Sequence, residues 1–204
     1  MAKPKSLPKL RAEARDCRDC PLWKNATQTV FGEGTPRARI LLVGEQPGDT
    51  EDREGHVFVG PAGRVLDEAL REAGLDRAQL YVTNAVKHFK WEPRGKRRLH
   101  KTPSQREVQA CRQWLEGELA AVAPVLVVAL GATAAKALLG PAFRITQGRG
   151  KVQRRPGLVP VLATYHPSFV LRTLQRPEGP EIRGHFIADL RTARRIAMQD
   201  ESDS

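Results

Sequence analysis

Long apolar runs are missing from this chain. No stretch approaches the ~20 residues that a helical bilayer crossing needs, which excludes a protein of transmembrane helices. The opening, MAKPKSLPKLRAEARDC, also lacks the apolar segment of a secretory signal, so the expectation is a cytoplasmic protein with no membrane partner. Cysteine is scarce: Cys17, Cys20 and Cys111 are too few for a secreted disulfide framework. In a reducing compartment the Cys17-x-x-Cys20 spacing points instead to metal or redox chemistry. Acid is in deficit, with 23 Asp and Glu against 34 Lys and Arg and a formal net charge of +11. Such an excess suits a phosphate-rich partner, because each neutralised phosphate releases condensed counterions, although anionic membrane surfaces attract the same charge. A chain of 204 residues is sized for one domain, 1–204, with roughly 1–12 and 198–204 expected to be flexible.

Four apolar runs are present, at 38–44, 80–86, 125–130 and 159–164, and each reads as a buried parallel strand. Helical patterns separate them. Val65, Leu66, Ala69, Leu70 and Ala73 recur at helical spacing before a stop at Gly74. Ser104 and Glu107 form a capping box that opens a segment with Val108, Cys111, Leu115, Leu119 and Val122 on one face. A short Ala-rich helix is expected at 132–139, and Phe186, Leu190 and Ala193 mark a last one. This alternation predicts an α/β three-layer sandwich with a central four-stranded parallel sheet flanked by helices, whose sites lie beyond the carboxyl ends of the strands.

The chemistry-bearing motifs fall at those ends. The first strand runs into Gly44-Glu45-Gln46-Pro47-Gly48-Asp49, either an ordinary strand-to-loop turn or a close-approach loop for a ligand; it lacks the ending of a P-loop. Phe58, in a Gly- and Pro-rich segment, is a core residue or a platform for a flipped base. Asn84 either closes its strand in an Asx turn or reads a pyrimidine edge with its paired donor and acceptor. The fourth strand ends in His166-Pro167-Ser168, followed by Arg172. A lone histidine is usually structural, yet here a neutral imidazole N–H meets the other strand ends and can steady negative charge on a leaving group. Residues 87–101, KHFKWEPRGKRRLHK, interleave seven basic residues with Phe89 and Trp91. Pro93 and Gly95 argue against helix, so the run reads as a long basic loop clamping a DNA backbone, with a solvated charge run as the plainer alternative.

The constellation resembles the family 4 uracil-DNA glycosylases, and within them the UdgX branch. It rests on Cys17-x-x-Cys20, GEQPGD at 44–49, FVGPAG at 58–63, YVTNAVKH at 81–88, KRRLHK at 96–101, Cys111-x-x-Trp114-Leu115 and HPSFVLR at 166–172, in that order. The resemblance implies a parallel four-stranded sheet and a [4Fe–4S] cluster. Ordinary members use four cysteines; here His88 stands at the third position, which makes the implied ligands Cys17, Cys20, His88 and Cys111. A tetrahedral zinc site would use the same residue types.

The branch also implies a covalent outcome, because ordinary members have a small residue in place of Gln46 and lack the KRRLH insertion. His100 is then the nucleophile that attacks C1′ of the sugar once uracil has left, in a single turnover. Glu45 fixes or accepts its other ring proton, Gln46 and Asp49 shape the site, and His166 supports the departing base. Gly44, Phe58, Asn84, Ser168 and Arg172 bind substrate, while Lys96, Arg97, Arg98 and Lys101 hold the DNA backbone. The expected partner is uracil-containing DNA, single- or double-stranded, with uracil as product and the protein a monomer. Ordinary hydrolytic turnover is the rival within enzymes. A zinc-stabilised nucleic-acid-binding module without catalysis is the rival outside them.

Overall fold

A computed structural model describes residues 4–202. Its helices are α1 (Leu7–Ala14), α2 (Asp49–Glu54), α3 (Pro61–Ala73), α4 (Gln105–Val122), α5 (Ala132–Leu139), α6 (Ile145–Gly148), α7 (Pro167–Thr173) and α8 (Gly179–Ser202). The strands are β1 (Glu33–Gly34), β2 (Ile40–Gly44), β3 (Tyr81–Asn84), β4 (Trp91–Arg94), β5 (Arg97–His100), β6 (Leu126–Leu130), β7 (Val152–Arg155) and β8 (Leu158–Thr164). The main sheet runs β1-β3-β2-β6-β8-β7. Its middle four strands are parallel and match the four apolar runs of the sequence, while the short edges β1 and β7 pair antiparallel. These two edges enlarge the expected four-stranded sheet to six.

Residues of β2 and β6 are buried on both faces, as parallel strands sandwiched by helices must be. One face carries Leu42, Val128 and Leu162 against Leu66 and Leu70 of α3 and Phe186 and Leu190 of α8. The other carries Leu41, Val127 and Val161 against Leu115 of α4 and Ala134 and Ala135 of α5. Helix ends follow the local chemistry. Pro61 starts α3, Gly74 ends it with φ 73°, and the Ser104–Glu107 capping box closes over the first turn of α4. Among the described residues no helix is long and apolar enough to cross a membrane.

Two expectations require correction. The basic run is not an irregular loop: β4 and β5 form a hairpin in which Trp91 pairs with His100 and Arg94 with Arg97. Gly95 takes φ 60° at the first position of the two-residue turn, a geometry open to glycine without strain, and Pro93 is tolerated because the hairpin stands apart from the main sheet. The amino-terminal segment expected to be flexible through residue 12 is helical from Leu7: α1 packs on α4 and buries Leu10 and Ala14. At the other end, 198–202 continue α8. Positions 1–3 and 203–204 lie outside the described residues.

Candidate active site

The register of the parallel sheet builds the pocket floor. Gly44, the last residue of β2, pairs with Asn84, the last of β3. A Cβ at Gly44 would collide with Asn84 Oδ1 and with the ring of Phe58, so glycine is what lets these two side chains meet over the strand ends. Asn84 is 1% exposed, and its Oδ1 has no hydrogen-bond partner. An orphaned acceptor this deep costs stability unless something arrives to satisfy it. Phe58 sits at φ 54°, a left-handed conformation unusual for an aromatic residue, and a Cβ at Gly63 would strike its carbonyl. Glu51 locks the two glycine loops together by accepting from Gly48 N–H (3.1 Å) and Gly60 N–H (2.8 Å).

His166 caps α7. Its Nδ1 accepts from the Ser168 backbone N–H at 3.1 Å and lies 2.8 Å from Ser168 Oγ, to which Arg172 donates at 3.2 Å. With Nδ1 acting as acceptor, the neutral ring carries its proton on Nε2. Burial, reinforced by His100 and Arg172, lowers the His166 pKa to about 4, so the imidazole is neutral at physiological pH. The ring lies 6.0 Å from that of Phe58.

The hairpin supplies the opposite wall. His100 Nε2 lies 3.5 Å from Glu45 Oε1, and its ring is 6.0 Å from Phe89. Desolvation lowers the His100 pKa against the opposing pull of Glu45, with Arg172 adding to the decrease. Gln46 pins the hairpin base: its amide donates to the carbonyls of Lys90 (3.2 Å) and Lys101 (3.0 Å), and its oxygen accepts from Lys90 N–H (3.1 Å). Gln46, Phe58, Asn84, His100, His166 and Arg172 thus line one cavity of ≈ 450 Å³.

The basic residues divide sharply. Lys96 and Arg97 at the hairpin tip are exposed and have no ion pair among the described residues. Lys101 pairs with Glu92 at 2.8 Å. Arg98, expected on the DNA backbone, turns inward: it pairs with Asp49 and with the buried Asp52 (2.6 Å) and lies over Phe89 and Trp91. Asp49 accordingly faces Arg98 and Arg53, and these two cations hold its carboxyl below the usual range although burial opposes them. Lys87 is not a surface cation at all. It is 1% exposed, 2.6 Å from the fully buried Glu118, and donates to the Asn84 carbonyl at 2.7 Å.

The three cysteines share one small cluster with Leu10, Ala14, Leu22, Phe31, Val86 and Trp114. The Trp114 indole N–H donates to Cys17 Sγ and the Lys87 backbone N–H to Cys111 Sγ, each at 3.2 Å. N–H groups aimed at sulfur are what ligating thiolates receive around a cluster. Burial pushes the Cys111 thiol up to about 12, although the Lys87 charge and backbone N–H oppose the rise. His88 is close by in sequence but turns Nε2 toward Thr29 Oγ1 at 3.0 Å, and burial lowers its pKa so that the ring is neutral. Among the described residues no three His, Cys, Asp or Glu side chains are gathered closely enough to hold a metal ion as they stand. The donor types fit an iron–sulfur group, while His88 as it stands faces Thr29.

Glu51, Asp52 and Thr133 escaped the sequence reading. Glu51 was detectable as the acid three residues after the helix-opening Gly48; the other two act through partners distant in sequence.

A mostly parallel sheet whose strand ends converge on one polar pocket is the setting of a ligand-binding α/β protein. Residues 31–191 match the family model described as the uracil DNA glycosylase superfamily, and the chain belongs to that superfamily. It is similar to the type-4 uracil-DNA glycosylase of Thermotoga maritima, 38% identical over 187 residues, 91% of this chain and 92% of the relative. The type-4 uracil-DNA glycosylase of Sulfurisphaera tokodaii is 35% identical over 201 residues, 95% and 86% of the two chains. A type-5 uracil-DNA glycosylase of Thermus thermophilus is 34% identical over 203 residues, covering 90% and 85%.

Proposed function

We propose that this protein excises uracil from DNA and is then captured covalently on the abasic sugar through His100. The observation that carries the reading is the meeting of an unpartnered Asn84 Oδ1, a neutral His166 and His100 in one cavity of ≈ 450 Å³, with Glu45 Oε1 3.5 Å from the His100 ring. Lys96, Arg97 and Lys101, with Arg172, hold phosphates, and the target nucleotide leaves the stack at a cost of a few kcal/mol. Phe58 stacks on the base, and Asn84 Oδ1 accepts the N3–H of uracil. Cytosine carries a lone pair there, so the same oxygen repels it. His166 Nε2–H donates to a uracil carbonyl, where charge develops as the C1′–N1 electron pair departs with the base.

Cleavage leaves a cationic sugar. The unprotonated nitrogen of the neutral His100 ring bonds to C1′, and the imidazolium so formed releases its remaining ring proton to Glu45. Held by the hairpin, that nitrogen has an effective concentration no bulk water matches. Cys17, Cys20 and Cys111, with His88 turned toward them, would hold the [4Fe–4S] cluster implied by the family resemblance. When bound, it supplies a cross-link between the amino-terminal segment, the end of β3 and α4. The excision chemistry itself runs through the side chains above.

The test is incubation with single-stranded DNA containing one uracil. Expected is a protein–DNA product that survives denaturing electrophoresis. His100→Ala should abolish this product while uracil release continues. Only free abasic DNA from the parent would reduce the reading to hydrolytic turnover, and loss of excision in His100→Ala would move His100 into bond cleavage.

A further inference from the structure

Glu45 has two carboxylate oxygens with two different neighbours. Oε1 faces His100, and Oε2 accepts the hydroxyl of Thr133. Among the described residues its side chain makes no other hydrogen bond or ion pair. Thr133 stands in the first turn of α5, whose capping residue Gly131 is fixed to β8 by its N–H on the Thr164 carbonyl at 2.9 Å. Gly131 has φ 92°, and a Cβ there would lie 2.9 Å from the His166 Cβ. The start of α5 is therefore keyed to the strand end that carries His166, and a β-branched side chain on a helix has few rotamers in which to place its hydroxyl.

We propose that Thr133 is the positioning residue of the capture step: its hydroxyl fixes the plane of the Glu45 carboxylate so that the other oxygen meets the His100 ring. This rests on the capture reading above, and it gives Thr133 no part in breaking the glycosidic bond.

Two measurements on the full chain test it. In single-turnover assays of uracil release and adduct formation, Thr133→Val should slow adduct formation about tenfold, as losing one hydrogen bond to a charged group implies. Uracil release should stay within about twofold, and Thr133→Ser should restore the adduct. Separately, an NMR titration of His100 in the DNA-free protein should show its pKa falling in the valine variant and not in the serine variant, because a carboxylate free to swing away supports the imidazolium less. An unchanged adduct rate or an unmoved titration in Thr133→Val overturns the proposal. So does equal loss of excision and capture that serine fails to rescue. A parent protein that forms no adduct sinks the capture reading instead, and the titration then decides alone whether Thr133 positions Glu45.

Discussion

The pocket floor and the hairpin that faces it are built in opposite ways. The floor is made of strand ends and backbone: Gly44 and Asn84 are neighbours in the sheet, Phe58 is locked by Gly63, and His166 is a helix cap. Its polar atoms are fixed before substrate arrives, with Asn84 Oδ1 left unpartnered. The hairpin lies outside the main sheet and is held by side chains, Gln46 at its base and Arg98 on Asp49 and Asp52. On the proposed reading, base excision belongs to the rigid half and sugar capture to the half that is fastened on. Excision can then survive damage that abolishes capture, but capture cannot survive the converse.

The largest effect is expected at Asn84. Asn84→Ala removes an acceptor aimed at the reacting base, and the loss of one such contact lowers turnover roughly 10²–10³-fold. Uracil release and adduct should fall together in single-turnover assays. Urea melting should show no loss of stability, because Oδ1 makes no protein hydrogen bond and its removal lifts the cost of an unpartnered buried acceptor. A variant that still excises normally would remove the floor from the mechanism. At the hairpin, Arg98→Ala cuts the latch and leaves the buried Asp52 carboxylate with, among the described residues, only the Thr27 N–H to answer it. Adduct formation should drop about tenfold, the effect of roughly 1.4 kcal/mol of lost positioning, while uracil release stays near the parent rate. Equal losses in both would mean that the hairpin is part of the excision machinery.

What could be read from the sequence follows the same division. The four central strands and the ends of α3 and α4 were legible because their signals are local: apolar runs, a capping box, a stop glycine. The residues of the floor were legible as motifs at strand ends. The hairpin was not, since Pro93 and Gly95 read as breakers and its strands show no apolar alternation. Nor could charge alone tell Lys87, buried on Glu118, from Lys96 at the hairpin tip, because the distinction depends on an acid 31 residues further along. α1 was obscured by its polar composition; only Leu10 and Ala14 of its residues are buried.

The smallest effect expected is a change in product ratio with pH, and it divides the same two halves. Both histidines titrate below the ordinary value of 6.5, but for unequal reasons. His166 is enclosed with His100 and Arg172 as charged neighbours, and its pKa falls to about 4. His100 is half-exposed and faces Glu45, which opposes the fall. As pH drops below 6.5, His100 therefore takes up its proton first and loses the lone pair that capture requires. His166 keeps Nδ1 unprotonated, its Ser168 contacts intact and its Nε2–H in place until the pH nears 4. Between these two titrations the protein should release uracil yet leave free abasic ends, whereas from about pH 7 upward adduct and release should match. Scoring both products from one reaction series between pH 4.5 and 8 gives the ratio directly. A ratio that stays constant across that range would mean that the two steps share one titrating group, and the separation of floor from hairpin would not hold.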